Sequence, residues 1–196
     1  AAGDLGVAVS VEQSSLGATV ANPADGETGY ALGLRYSVDM GGASVALGAG
    51  VQNATFDGAS NWGPLEAAGA VFVAGVEGDT VGVSAAVTAG AFQVGLAFTQ
   101  NEFDNAAGVE VADIDHTALG VSYAVGALTL HANYGEYDGT IGGAVAASAD
   151  GVGLSGAYDL GGGASMHFGY GDGDVTVGGV EQAGNTAWSL GLSMAF

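Results

Sequence analysis

Three histidines are the residues of this chain best suited to acid–base chemistry or to transition-metal binding. They are His116, His131 and His167, and a zinc site would need three or four such ligands converging with a set geometry. The sequence contains no HExxH motif and no close histidine pair. His131 and His167 fall on the same face of two alternating segments that are separated by one other segment. We therefore interpret them as polar lining of an interior surface.

Two short acidic motifs carry the oxygen ligands that Ca²⁺ prefers. One contains Asp113 and Asp115, and the other contains Asp172 and Asp174. Ca²⁺ takes six to eight oxygens, and neither motif fits the EF-hand loop or the nonapeptide calcium repeat. A solvated acidic loop is the favoured interpretation, and a structural Ca²⁺ ion is the alternative. No other cofactor is expected.

The sequence carries no recognisable catalytic constellation. Serine, histidine and aspartate are all present, but no nucleophile elbow of the GxSxG type occurs. The three glycines at residues 161–163 precede a strand-like segment, whereas a phosphate-binding loop precedes a helix. We therefore do not expect an enzyme.

Arg35 is the single basic residue, against 21 acidic residues, and the formal net charge is −20. Such a chain is not expected to bind nucleic acid, whose phosphates require Lys and Arg. The period of its segment places Arg35 on the interior face. There it either sets the local field among carboxylates such as Glu12 on the neighbouring strand, or forms a structural salt bridge. Both interpretations stay open.

The composition indicates amphipathic strands. The 196 residues are 48% hydrophobic and only 11% charged, with 38 glycines and no cysteine. A soluble domain carries about 25% charged residues, and a disordered acidic chain is poor in aliphatic residues. Absence of cysteine excludes a disulfide framework. No apolar run approaches the roughly 20 residues of a transmembrane helix.

Large apolar residues alternate with small or weakly polar residues along about ten segments, most clearly from Trp188 to Phe196. The second face carries Gly, Ala and Ser, whereas a soluble sandwich would carry charge there. We predict an all-β fold: one transmembrane antiparallel up-and-down β-barrel domain over residues 1–196, with about ten strands, lipid outside and a water-filled lumen inside. The predicted pore-lining residues are Glu12, Arg35, Gln52, Gln93, Thr99, His131, Asn133 and His167.

Connections between the segments alternate in length. Short turns are predicted near residues 39–42, 89–91, 124–127 and 159–163, and long acid-rich loops near 14–28, 54–79, 100–115, 136–149 and 172–185. Because bacterial barrels have short periplasmic turns, the acids are predicted to crowd the outer mouth. Residues 69–75 are interpreted as loop structure. Two aromatic girdles are predicted: Tyr36, Phe92, Tyr123, Tyr158 and Phe196 near the short turns, and Tyr30, Phe98, Tyr134, Tyr170 and Trp188 at the other end.

Three features resemble the anionic porins of Rhodobacter-type bacteria: Asp115-His116 opening a strand, the hairpin AYDLGGGAS at residues 157–165, and the terminal SLGLSMAF. The resemblance runs from about residue 4 to the end. It implies a Gram-negative outer-membrane general porin, a sixteen-stranded homotrimer, of which this chain would be the C-terminal ten strands. The family's arginine-rich wall would then precede residue 1, and its constriction residues cannot be carried over. A complete ten-stranded barrel is the alternative.

The expected location is the bacterial outer membrane, and the expected function is passive diffusion of ions and small hydrophilic solutes. The acidic mouth predicts a cation preference. The expected partners are outer-membrane lipid, these solutes and further copies in a homotrimer. One alternative is a small structural or adhesive barrel with acidic, Ca²⁺-binding loops, although small inner residues argue against a plugged interior. A secreted acidic β-solenoid that binds Ca²⁺ is a third class, and it would be soluble without detergent.

Overall fold

The computed structural model describes residues 3–13, 28–56, 60–61, 71–72, 75–182 and 184–195. These residues form strands and turns, and they contain no helix that is long and apolar enough to cross a membrane. The strands are β1 (Gly3–Gln13), β2 (Thr28–Asp39), β3 (Ala43–Phe56), β4 (Ser60–Asn61), β5 (Val71–Phe72), β6 (Val76–Ala89), β7 (Phe92–Asp104), β8 (Glu110–Val125), β9 (Leu128–Ile141), β10 (Val145–Gly161), β11 (Ala164–Val177), β12 (Val180–Glu181) and β13 (Asn185–Met194).

Ten of these strands are long, and each pairs antiparallel with the next long strand along the chain. The sheet order is β1-β2-β3-β6-β7-β8-β9-β10-β11, and β13 pairs with β11. The predicted all-β, up-and-down fold with ten strands is therefore confirmed. Within the described residues, β1 pairs only with β2 and β13 only with β11, so this part of the sheet has two edges.

The short turns lie where the sequence predicts them. They follow β2, β6, β8 and β10, and each contains a glycine with positive φ, such as Gly90 at 57° and Gly126 at 58°. Glycine adopts this left-handed conformation without the steric cost that a Cβ imposes. Tight two- to three-residue connections therefore form at one end of the sheet.

The opposite end differs from the prediction. Strands continue through most of residues 100–115, 136–149 and 172–185, which were predicted as long loops, and β7 and β8 are joined only by residues 105–109. These stretches keep a period of two, but their outward positions carry acids in place of large apolar residues. The loops predicted at 14–28 and 54–79 lie largely outside the described residues. In residues 69–75, β5 pairs with β4 in a separate small sheet and does not extend β6.

A buried apolar cluster lies at this end of the sheet, opposite the face that carries the exposed aliphatic residues. Its members are 0–7% exposed, which makes it the packed core of the described residues. Phe56 and Tyr137 pack against it. The cluster consists of Val76, Phe103, Ala112, Ile114 and Ala147.

Candidate functional site

Cross-strand pairing sorts the side chains of the sheet onto two chemically different faces. On β7 and β8, Phe92 lies opposite Tyr123, whereas Gly95 lies opposite Gly120. Successive side chains of a strand point to opposite sides, so Phe92 and Gly95 define two faces that continue across the paired strands. We call the face of Phe92 the outer face and the face of Gly95 the inner face.

The outer face presents aliphatic side chains to the surroundings of the sheet. Leu5 on β1 is 69% exposed, Leu96 on β7 is 55% exposed, and Leu190 on β13 is 67% exposed. An apolar surface that spans ten strands is far larger than the patches that soluble monomers expose. Lipid is the environment that suits such a surface, as on the outside of a transmembrane barrel.

Aromatic residues lie on the outer face at both ends of this apolar surface. The rings of Phe92 and Tyr123 are 4.5 Å apart near the short turns, and Tyr170 pairs with Trp188 at the other end. This is the arrangement of the aromatic girdles at the two membrane interfaces. The predicted girdle residues Tyr36 and Tyr158 also lie on the outer face near the short turns, opposite Leu47 and Met166 respectively, and Phe196 lies outside the described residues.

The polar residues predicted to line a pore share the inner face but lie at different heights on it. His131 lies opposite Ser122 and Ser155, whereas His167 lies opposite Ala157 and Gly191, one step nearer the short turns. The register therefore spreads these groups along a wall and does not bring them into one cluster. The predicted residues with described side chains on this face are Arg35, Gln52, Gln93, Thr99, His131, Asn133 and His167.

Two serines and a histidine form a small hydrogen-bonded group on the inner face near the short turns. The Ser165 hydroxyl lies 2.8 Å from His167 Nε2 and 2.8 Å from the Ser193 hydroxyl. Ser165 and His167 lie on β11 and Ser193 lies on β13, so the contacts to Ser193 link these two strands. Asp159 lies directly opposite Ser165, but its Oδ1 accepts a hydrogen bond of 2.8 Å from the Gly161 N–H in the turn. The group therefore fits a hydrated polar wall better than an activated nucleophile, which needs a base oriented by a third group.

Small side chains leave hollows on the inner face. A hollow of about 470 Å³ is lined by Arg35, Gly48, Ser84 and Ala97, among others. Another of about 400 Å³ includes Gln52, and one of about 340 Å³ includes Asn133. All three hollows are open on the side away from the outer face, so the small side chains leave this face of the sheet recessed between its polar groups.

The register separates Arg35 from Glu12. Arg35 lies opposite Gly6 on β1, whereas Glu12 lies opposite Gly29 on β2. Six residues along a strand correspond to roughly 20 Å at the usual rise per residue. The register therefore does not place Glu12 beside Arg35.

The carboxylates near the outer end of the strands face outward. Glu77 and Asp79 are exposed on β6, alternating with the buried Val76 and Gly78 of the inner face. Many acids also lie opposite one another across strands. These acids lie at the predicted end of the sheet, but their side chains face outward, away from the side that carries the apolar cluster. The directly opposed outer-face pairs include Asp79–Glu102, Glu102–Asp113, Asp115–Asp138, Glu136–Asp150 and Asp150–Asp174.

The two acidic motifs do not meet in the fold. Asp113 and Asp115 lie on β8, three strands away from Asp172 and Asp174 on β11. Asp172 accepts a hydrogen bond of 2.6 Å from the Thr186 hydroxyl. Among the described residues, no three His, Asp or Glu side chains are grouped so that they could hold a metal ion. A Ca²⁺ site at these positions would need ligands from elsewhere.

Two inner-face features are not evident from the sequence alone. Asn101 is buried and bonded to two neighbouring strands, and the rings of His116 and Tyr137 stack at 4.1 Å. Both depend on cross-strand register, which a single sequence does not reveal. The sequence does contain one signal that the strands continue in this region. Acids alternate with large apolar residues around Phe103 and Ile114, so the period of two extends beyond the apolar band.

A family model described as Gram-negative porin matches residues 2–178. The chain belongs to the Gram-negative porin family. It is thus a protein of the bacterial outer membrane, and both family and fold point to a channel rather than to an enzyme. No curated protein sequence matches it at a significant level.

Solved structures share the fold of this porin. A loop L8 deletion mutant of OmpT from Vibrio cholerae matches with a TM-score of 0.63 and 20% identity, covering 87% of this chain and 55% of its own. An anion-selective porin from Comamonas acidovorans matches with a TM-score of 0.58 and 18% identity, covering 85% and 49%. A porin structure refined at 1.8 Å matches with a TM-score of 0.63 and 20% identity, covering 100% and 59%. The chain therefore spans 49–59% of the length of these structures.

Proposed function

We propose that this porin forms a water-filled pore through which ions and small hydrophilic solutes diffuse passively across the outer membrane. The contrast between the two faces carries the proposal. The outer face is an exposed apolar surface, whereas the inner face carries Gly, Ala, Ser and a few polar groups around hollows of hundreds of Å³. An outward apolar band with a polar interior is the design of water-filled barrels.

A structural or adhesive barrel with a closed interior is the second candidate function. The buried cluster around Phe103 and Ile114 favours it, because this cluster makes the inner face apolar and covered at the extracellular end. The hollow beside Arg35 argues against it, since a closed barrel would fill that space with side chains. A water-filled pore therefore explains the small and polar residues of the inner face better than a closed interior does.

We further propose that the pore prefers cations, and that this preference depends on salt. The net charge of −20 favours cations, but the strand-borne carboxylates face outward and act on the pore only through their long-range field. The Debye length falls from about 30 Å at 0.01 M to about 3 Å at 1 M. The fold does not fix the selectivity, since one structure of the same fold is described as an anion-selective porin.

Planar-bilayer recordings test both proposals in one experiment. We expect stepwise currents, and reversal potentials in a KCl gradient that show a clear cation preference at about 0.01 M and a weak one at about 1 M. Bilayers that stay electrically silent would support the structural barrel instead. A chloride preference at low salt would contradict the cation proposal while leaving the pore intact.

We also propose that this porin forms a trimer and binds Ca²⁺ as a counterion. The resemblance to homotrimeric porins supports the trimer, and the outward acidic residues such as Asp115 and Asp138 support Ca²⁺ as a counterion. Sedimentation of the detergent-solubilised protein, with Ca²⁺ and with a chelator, tests both. A monomer in both conditions would contradict the trimer, and an absence of bound Ca²⁺ after dialysis would contradict the ion.

A further inference from the structure

Most acidic residues of the described strands lie on the outer face of the sheet, whereas the single basic residue lies on the inner face. The carboxylates at the extracellular ends of the strands face outward, whereas Arg35, the only basic residue, lies on the inner face. Its hollow is otherwise lined on that face by uncharged residues, among them Ala46, Gly48, Ser84 and Ala97. A solute that passes this hollow therefore meets a positive side chain, although the net charge of the chain is −20.

The strands beside Arg35 leave its guanidinium group uncovered. Its cross-strand neighbours are Gly6 on β1 and Gly48 on β3, and neither has a side chain. Residues directly opposite on a sheet are the ones whose side chains normally pack together. With glycine directly opposite on both neighbouring strands, the exposed Arg35 side chain lines the hollow of about 470 Å³, and no side chain of the described strands lies directly opposite it.

We infer that Arg35 is a specificity-determining residue of the pore, one that favours the passage of small organic anions bearing a carboxylate. This inference rests on the proposed pore function. A guanidinium group presents paired N–H donors that match the two oxygens of a carboxylate, whereas Lys acts as a point charge. The glycines and alanines around Arg35 offer an uncharged surface to the short hydrocarbon part of such a solute.

Asp4 is the inner-face carboxylate that competes with a solute for Arg35. It lies opposite Ser37, two residues from Arg35, and such diagonal neighbours are about 7–8 Å apart, within reach of long side chains. Asp39 also lies on this face, but its Oδ1 accepts a hydrogen bond of 3.2 Å from the Gly41 N–H in the turn. Removing the charge of Asp4 should therefore strengthen the effect of Arg35.

Reversal potentials in gradients of potassium acetate and of KCl test the inference. At about 1 M salt the field of the outer carboxylates is screened, so contacts inside the pore decide the result. We expect Arg35→Gln to lower the acetate-to-potassium permeability ratio roughly fivefold, the effect of about one charge contact in water, and Asp4→Asn to raise it. Arg35→Lys should keep the chloride-to-potassium permeability ratio, because the positive charge remains. It should lose the preference for acetate over chloride, because Lys lacks the paired N–H donors. The matched control Glu102→Gln removes an outer-face charge and should change neither ratio.

A cysteine variant separates a local effect from misfolding. The chain has no cysteine, so Arg35→Cys provides one thiol in a pore that is already conducting. A thiol reagent that adds a trimethylammonium group should restore the anion permeability of that same pore. Conducting Arg35→Gln pores with an unchanged acetate ratio would overturn the inference and leave the pore function standing. A wild-type protein that forms no pores would overturn the pore function itself.

Discussion

Asn101 ties three strands together on the inner face. Its Oδ1 accepts a hydrogen bond of 2.9 Å from the Thr80 hydroxyl on β6, and its Nδ2 donates one of 3.1 Å to the Ile114 carbonyl oxygen on β8. The residue is only 6% exposed. Leaving a polar group this deeply buried without a hydrogen-bond partner costs free energy. The Asn101 amide therefore fixes which strands are neighbours, and in which register, in this part of the wall.

Asn101→Ala should lower the free energy of unfolding by about 1–3 kcal/mol, because Thr80 and Ile114 lose a buried hydrogen-bond partner. Urea titration of the protein in detergent micelles, followed by tryptophan fluorescence, measures this change. The matched control is Asn53→Ala, which breaks an exposed hydrogen bond of 2.8 Å to Asp79 and should cost under about 1 kcal/mol. Equal losses in the two variants would contradict the role assigned to burial.

Single residues differ in how far the sequence predicts them. Parity alone puts Arg35 on the same face as Gly33 and Ser37, because its own strand alternates clearly. Its separation from Glu12 and the partners of Asn101 depend on which residues of neighbouring strands lie opposite each other. Register is set by the pairing of two strands, and one strand's pattern does not contain it.

At the scale of the strands, the acid-rich segments that the sequence predicts as long loops are largely continuations of the strands. The period of two continues through β7 and β8, with Glu102 outward and Phe103 inward, then Asp113 outward and Ile114 inward. Acidity suggested solvated loops, but a strand that leaves the membrane also exchanges its outward apolar residues for charged ones. The ten strands and the short turns were predictable because alternation and glycine are local signals.

Asp115 lies opposite Asp138, and Asp115 Oδ1 is buried with no hydrogen-bond partner among the residues that the structure describes. Like charges directly opposite on a sheet are destabilising by about 0.2–1 kcal/mol. Asp115→Asn should therefore raise the free energy of unfolding by about 0.5 kcal/mol in low salt, by urea titration, and the gain should shrink as salt screens the pair.

Asp172→Asn is the matched control for this outer-face charge. Asp172 lies opposite Val152 and Thr186, so it has no opposed carboxylate, and it accepts a hydrogen bond from Thr186. This variant should not gain stability. A stabilised Asp172→Asn protein together with a destabilised Asp115→Asn protein would show that cross-strand repulsion is not the cause.

For the molecule as a whole, the two faces of one sheet explain both how the protein stays in the membrane and how solutes pass through it. The outer face suits lipid, and the inner face combines hollows near the short turns with a packed apolar cluster at the other end. Composition and alternation were enough to predict this two-faced wall. The packed cluster was not predictable in the same way, since it forms only when residues from β6, β7, β8 and β10 are brought together.

Ser84 and Val83 test the central claim most directly, because they are neighbours on β6 that face opposite sides. Ser84 lines the hollow beside Arg35, whereas Val83 is 54% exposed on the outer face. Each is changed to cysteine, and a charged, membrane-impermeant thiol reagent is added during planar-bilayer recording. We predict that the conductance of Ser84→Cys pores changes in steps while that of Val83→Cys pores stays constant. Modification of Val83→Cys with no effect on Ser84→Cys would contradict the assignment of the inner face to the pore.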